Sequence, residues 1–369
     1  MTTEIPERPS PAGSQDQPLG HTAVSFSRGF PSWLARQKCS IAITTYRIGR
    51  LVLIGLNSDG SLHLQNQHIE QCQGLWTDGQ SMRVGALSSL WRYQNTVAAN
   101  SFTDGGTDRL FAPREARVTG QIDIHDIAEG NLTQIGGGER DVVFVSTAFN
   151  CLATISKTAS FKPLWHPPFV SGIVGEDRCH LNGLAIVDDR PAYVTTVGTE
   201  DVAGSWRNQR TSGGLVLEIQ TGSPVVSGLS MPHSPRVYDQ KLWVLDSGRG
   251  NLCIVDTQRS EITRVADMQG YARGLSFAGR FAVVGLSRPR TNDIFSGLEL
   301  DEKIKKSGNA AMCGVAVVNI DSGQVEEWLS FGEPVNEIYD VAVLQGVRRP
   351  EATSMYGDDV RRVVSVEAM

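Results

Sequence analysis

The stretch from Asn182 to Gly198, NGLAIVDDRPAYVTTVG, reads as two short strands joined by a polar turn. Its form recurs. HDIAEG (125–130) stands before DVVFVST (141–147), SPRVYDQ (234–240) before KLWVLDSG (241–248), and RGLSFAG (273–279) before RFAVVGL (280–286), while YDVAVLQG (339–346) ends the series. A sixth copy, QGLWTDGQ (73–80) before SMRVGALSSLWRY (81–93), fits less closely but fills the right interval. Repeats of roughly 40 to 55 residues made of short strands are the signature of propeller blades. The expected fold is all-β, a six-bladed β-propeller, with seven blades as the alternative count.

The last copy, EIYDVAVLQGV (337–347), has an inner strand and no room for three more, whereas CSIAITTY (39–46), RLVLIGLN (50–57) and SLHLQNQHI (61–69) form a meander lacking an inner strand. Joined, they complete one blade from both termini, which removes exposed sheet edges. The propeller is expected over residues 25–350, after a polar, Pro-rich and disordered lead at 1–24 and before a tail at 351–369. Short helices are expected at Ser32–Gln37 and at Leu298–Lys306, the latter inside a long loop, 288–312, that reads as a lid or interaction insert.

Composition narrows the function classes. The net charge of -6 and the absence of a Lys/Arg run argue against nucleic acid. No run of 18 apolar residues and no signal-peptide h-region are visible, so neither a membrane partner nor secretion is expected. Six cysteines without a C-x-x-C pair read as buried reduced thiols of a cytoplasmic protein. The sequence sets no oligomeric state.

In a propeller, residues just ahead of each inner strand converge at one mouth of the channel. Here they include His125, Asp126, His180, Asn182, His233, Arg236, Tyr271, Arg273, Glu337, Tyr339 and Asp340. Three of the chain's seven histidines fall at this place in consecutive blades. Three imidazoles suit a transition metal, Fe, Cu, Mn or Zn, and leave coordination positions open, so His125, His180 and His233 are the candidate metal ligands. Polar residues at such a mouth also hydrogen-bond one another without metal, which is the bland alternative. His166, in LWHPPFVSG (164–172), is a weaker candidate on a neighbouring loop.

Arg273 and Arg236 read either as anion-binding forks or as structural ion pairs with Asp126, Glu337 or Asp340. Trp206 and Arg207, in a long loop, read either as a ligand platform or as a plug that packs the loop down. No nucleophile elbow, HExxH motif or phosphate cradle is present.

The NGLAIVDDRPAYVT segment resembles the inner strand of the gluconolactonase, regucalcin and strictosidine synthase superfamily of six-bladed propellers. That resemblance implies that Asn182 helps to hold a divalent metal or lines the substrate pocket. The family's acidic ligands would fall near Gln73 and Ser234, where this chain has no carboxylate. More closely, through IDIHDIA, HLNGLAIVD, MPHSPR, LWVLDSG and YARGLSF, the chain resembles a bacterial family of conserved proteins of unknown function, which implies no reaction.

Two readings of function follow. In the first, the chain is a metal-dependent enzyme, an oxidoreductase, lyase or hydrolase, acting on a small or peptidyl substrate with an anionic group. His125, His180 and His233 hold the metal, Asp126 or Glu337 accepts a proton, Arg273 anchors the anion, and Arg236, Asn182, Tyr339, Trp206 and Arg207 contact the substrate. In the second, the same mouth binds a peptide or metabolite without chemistry.

Overall fold

In a computed structural model that describes residues 22–290, 297–354 and 363–366, six sheets stand as blades around a central channel, the expected count. The first blade takes its inner strand β25 (Asp340–Gln345) from near the C-terminus and β2 (Cys39–Thr45), β3 (Arg50–Leu56) and β4 (Leu62–His68) from the N-terminal meander. Strands β25 and β2 pair antiparallel from Asp340↔Thr44 to Gln345↔Cys39, so the ring closes as expected. The other inner strands are β5 (Leu75–Thr77), β9 (Ile124–Gly130), β13 (Gly183–Val187), β17 (Pro232–Tyr238) and β21 (Tyr271–Ala278).

Both terminal boundaries lie slightly outside the expected ones. Strand β1 (Val24–Phe26) adds to the outer edge of the sixth blade, pairing Val24 with Phe331 on β24 (Val325–Phe331). Strand β26 (Pro350–Ala352) runs parallel to β8 (Arg109–Val118) at the edge of the second blade. Ala352 therefore belongs to a sheet rather than to a tail. Most of the lead expected at 1–24 and part of the tail expected at 351–369 lie outside the described residues.

Apolar side chains of neighbouring blades interlock between the sheets. The layer between blades six and one holds Ile41, Ile43, Val283, Val315 and Val317, with helix α1 (Phe30–Gln37) laid against it. That helix starts with Pro in its first turn and stops at Lys38, which adopts a left-handed conformation (φ 50°). Its buried residues are Phe30, Trp33 and Leu34, and the Trp33 ring meets Phe281 edge-on at 5.8 Å.

Two kinds of joint alternate around the channel. From blades one, three and five a polar side chain reaches forward: the Leu75 N–H donates to Asp340 Oδ2 (2.9 Å), the Leu184 N–H to Asp126 Oδ2 (2.9 Å), and the Gly274 N–H to Ser234 Oγ (3.0 Å). From blades two, four and six a glycine lies against the next inner strand, because no side chain fits. A Cβ on Gly74 would stand 3.1 Å from Asp126 Cα, one on Gly183 2.3 Å from Pro235 Cδ, and one on Gly274 2.4 Å from Val341 N. The Gly-Leu pairs at 74–75, 183–184 and 274–275 are the sequence trace of this alternation.

Gly274 also has φ +74°, where an L side chain is strained. Gly274→Ala is expected to cost about 2 kcal/mol or more in urea unfolding. Gly172→Ala, where an added Cβ meets nothing within 4 Å, should change stability by less than about 0.5 kcal/mol. Equal stability of the two variants would remove the case for a close-packed joint.

Candidate functional site

Register places one side chain per blade at the mouth: Gln73, His125, Asn182, His233, Arg273 and Tyr339, each immediately before the Gly, Asp or Ser of a joint. Hydroxyl groups from adjacent blades pin the backbone at or beside these residues. Thr44 Oγ1 donates to the Gln73 carbonyl (2.5 Å), Thr147 Oγ1 to that of Leu181 (2.5 Å), Ser247 to that of Ala272, and Ser287 to that of Ile338 (2.9 Å). These bonds tie the backbone at or beside Gln73, Asn182, Arg273 and Tyr339 to the neighbouring blade.

The structure brings the three predicted histidines to this mouth, at two levels. His125 and His233 belong to the ring. His180 lies two residues before Asn182, in a left-handed conformation (φ 52°), and its ring meets that of His125 edge-on at 5.1 Å. Each imidazole has Nδ1 against an oxygen: the Asp123 carbonyl for His125 (3.3 Å), the Asp177 carboxylate for His180 (3.1 Å), and the Met231 carbonyl for His233 (2.9 Å). Asn182 accepts from Thr195 Oγ1 (2.7 Å), which aims its amide at His233 Nε2, 3.4 Å away. Among the described residues, no group of three His, Cys, Asp or Glu is disposed to hold a metal ion. No described hydrogen bond or ring contact joins His166 to the three; its Nδ1 faces the Pro167 carbonyl at 3.0 Å.

Several expected roles change. Asp126, expected as a proton acceptor, and Arg236, expected to bind substrate, are partners of each other. Arg236 donates to Asp126 Oδ2 (2.7 Å) and Oδ1 (3.0 Å) and lies 3.8 Å from Asp340. With the backbone donors added, Asp126 has its acceptor capacity committed. Glu337, the other expected proton acceptor, is held by Arg290 (2.6 Å) and Arg47 (3.5 Å). Trp206 is buried, not an exposed platform. It stacks on His180 at 4.1 Å and donates Nε1–H to Asp177 (3.1 Å), with Arg207 4.6 Å from its ring centroid.

The long insert explains the burial of Trp206. Its helix α3 (Glu299–Ser307) matches the expected position, and Leu298 and Leu300 pack with Val197, Trp206, Met231 and Tyr271 over the mouth. The Tyr271 hydroxyl donates to Asp301 (2.6 Å), and the Leu300 N–H donates to the Gly248 carbonyl (3.0 Å). Beneath lies a cavity of about 30 Å³, lined by His233, Tyr271, Arg273, Arg290, Leu298 and Glu337, with room for one or two water molecules.

Arg273 differs from the other mouth arginines. Arg47, Arg236, Arg288 and Arg290 each face a carboxylate, whereas no hydrogen bond or ion pair to a described residue engages Arg273. Its guanidinium lies 5.2 Å from the Tyr339 ring centroid, and the Tyr339 hydroxyl is buried with no hydrogen-bond partner. Burial, then the charge of Arg290, moves Arg273 below the usual arginine value; burial, then Asp123, moves the Tyr339 phenol well above its own. Guanidinium and phenol both remain donors at neutral pH. Asp123, Asp177 and Arg290 were missed from the sequence as site residues. The signal for the first two was an Asp two or three residues ahead of a mouth histidine, at 123–125 and 177–180.

The family comparison settles membership. The model of the domain of unknown function DUF4915 matches residues 28–353. The chain belongs to the DUF4915 family. No curated protein matches it. Among solved structures, a chain of the nidogen/laminin complex aligns with a TM-score of 0.51 at 10% identity, covering 84% of this chain and 99% of that one. A protein of unknown function from Bacteroides caccae aligns with a TM-score of 0.45 at 9% identity, covering 84% and 99%. At 10% identity the likeness to the nidogen/laminin chain is one of fold, and fold alone assigns no function to a DUF4915 protein.

Burial, opposed by Asp123, depresses His125 to about 3, and burial together with Arg273 depresses His233 well below 6.5. Between an unfolded value near 6.5 and the depressed folded values, the unfolded chain binds more protons. Stability contributed by these groups is therefore complete above about pH 6.5 and falls as pH drops toward 3, by up to about 1.4 kcal/mol per pH unit per histidine. Urea midpoints of His125→Gln at pH 7, 6, 5 and 4.5 should fall less steeply than those of the parent. Parallel curves would contradict the assignment of a buried neutral imidazole.

Proposed function

We propose that the channel mouth recognises a small molecule or peptide end bearing an anionic group, with Arg273 as its counter-charge. The observation that carries this reading is the contrast among the mouth arginines. Four have carboxylates within reach, whereas Arg273 is partly buried beside the cavity without one. Desolvating a cation without a partner is costly, and an arriving carboxylate or phosphate offsets that cost. Asp126 and Arg236 serve the scaffold in this reading and contact no ligand. The insert with α3 and the Trp206 loop enclose the site from above, which excludes water from the bound anion. No described helix is long and apolar enough to cross a membrane, and the six cysteines are buried and unbridged, which fits a cytoplasmic setting.

The test is a thermal-shift screen with millimolar acetate, succinate, benzoate and phosphate. At least one is expected to raise the Tm of the parent protein and to leave Arg273→Gln unchanged. Equal stabilisation of both proteins, or of neither, would count against the mouth as an anion site.

A second reading, a transition-metal centre with enzymatic activity, rests on the three imidazoles. Each has its Nδ1 engaged by an oxygen, the arrangement that orients metal-ligating histidines and leaves Nε2 as the donor atom. His125, His180 and His233 would hold the ion after a rearrangement that draws the three rings together and frees His233 Nε2 from the Asn182 amide. The metal would supply Lewis-acid or redox chemistry beside the anion held by Arg273. Protein equilibrated with Zn, Mn, Cu or anaerobic Fe(II) and desalted is expected to retain near one equivalent by elemental analysis, and a His125→Ala, His180→Ala double variant to retain none. A folded parent that retains no metal would sink this second reading.

A further inference from the structure

The polar groups at the mouth can be counted by what they already bond. Glu337 and Arg290 are bonded to each other, Asn182 to Thr195, and Tyr271 to Asp301. Ser247 and Ser287 are committed to backbone carbonyls. Like His180 Nε2 above them, the Arg273 guanidinium, the Tyr339 hydroxyl and His125 Nε2 have no described polar partner. They are neighbours, because the Arg273 Cζ and the His125 ring centroid each lie 5.2 Å from the Tyr339 ring centroid.

Their chemistry is not uniform. Guanidinium and phenol donate. The Asp123 carbonyl beside His125 Nδ1 can only accept, so the neutral ring carries its proton on Nδ1 and Nε2 is an acceptor. A bare carboxylate would satisfy the two donors and leave His125 Nε2 facing the ligand unbonded, whereas inorganic phosphate keeps a P–OH donor at neutral pH and is therefore included in the titration below. A ligand that satisfies all three needs anionic oxygens with a hydrogen-bond donor beside them. The donor's charge matters too. Arg47, Arg273 and Arg290 outnumber the carboxylates of Glu337 and Asp123 here, so a neutral hydroxyl is favoured over an ammonium group. The cavity of about 30 Å³ is lined by Arg273 and not by Tyr339 or His125, so a ligand that meets all three is small and displaces side chains of the mouth as it enters.

We propose that the mouth takes a 2-hydroxy carboxylic acid, its carboxylate on Arg273 and the Tyr339 hydroxyl and its 2-hydroxyl donating to His125 Nε2. This rests on the anion-site reading above and adds the ligand class. A buried acceptor left unmatched costs on the order of 1–3 kcal/mol, a range that spans roughly five- to 150-fold in affinity and centres above ten-fold between a ligand with the hydroxyl and one without.

The experiment is a calorimetric or NMR titration of the full chain with glycolate, acetate, glycine and inorganic phosphate, the parent protein beside Arg273→Gln and His125→Leu. Glycolate is expected to bind the parent at least ten-fold more tightly than acetate, with glycine weaker than glycolate. Arg273→Gln should lose both acids, and His125→Leu should bring glycolate to the level of acetate. The ligand series on the parent needs no variant to fold. Equal affinity for glycolate and acetate overturns the 2-hydroxy assignment and leaves the anion site standing. Phosphate or glycine as the tightest ligand also overturns the assignment, and no binding by any of the four overturns it together with the reading beneath it.

Discussion

The whole ring depends on one guanidinium. Arg236, on blade five, bonds Asp126 on blade three and approaches Asp340 on blade one, so it spans the three alternate blades and crosses the channel axis. Each of the two carboxylates also accepts an N–H from the following blade, Leu184 or Leu75. The remaining inner strand, β21, is tied to Ser234, two residues before Arg236 in the same strand. All six inner strands thus connect to one centre. Such a buried cluster is not a large net source of stability, since desolvation offsets most of the Coulomb gain. Asp340 records that balance: burial drives its carboxyl up to about 7 although Arg236 lies 3.8 Å away. What the cluster supplies is register, because a strand displaced by one residue would leave a charge buried without its partner.

The same cluster shapes the site above it. Arg236 ties Asp126 to the level of Asp340, one level below the mouth ring. The ring side chains then stand on a base fixed by charge below and by the Thr44, Thr147, Ser247 and Ser287 hydroxyls at the sides. Preorganisation of this kind lowers the ordering cost of binding. It also sets the two levels of the imidazoles: His125 and His233 hang from the inner strands, and His180 is held above them by Trp206 and Asp177.

The architecture was legible because a blade repeat writes itself locally. Small apolar runs such as NGLAIV and turns such as Asp188-Asp189 recur whatever the distant neighbours are, and β25 could be matched to an incomplete N-terminal meander by counting strands. Gathering His125, His180 and His233 needed only the rule that inner strands start at one mouth. The alternation of joints was just as local, in the Gly-Leu pairs, but it vanishes when every blade is read as equivalent. What sequence could not supply was partnership across the channel. Arg236 and Arg273 look alike as mouth arginines. Only register shows that one lies at the level of Asp126 and Asp340 while the other stands in the ring. Trp206 is covered by Leu298 and Leu300, more than ninety residues away along the chain, a contact no local pattern announces.

Electrostatics gives the mouth a sign that the chain as a whole conceals. The net charge is -6, which at long range opposes an approaching anion. That opposition is screened over about 8 Å at physiological ionic strength. Inside the mouth the balance reverses: Glu337 is shared between Arg290 and Arg47, which leaves Arg273 without a carboxylate. Partial burial then strengthens the local attraction relative to bulk water, since the effective dielectric falls where solvent is excluded. The field that selects a ligand therefore acts at contact distance. Association should depend weakly on ionic strength while affinity depends strongly on Arg273, and a net negative charge on the chain is compatible with a site for an acid.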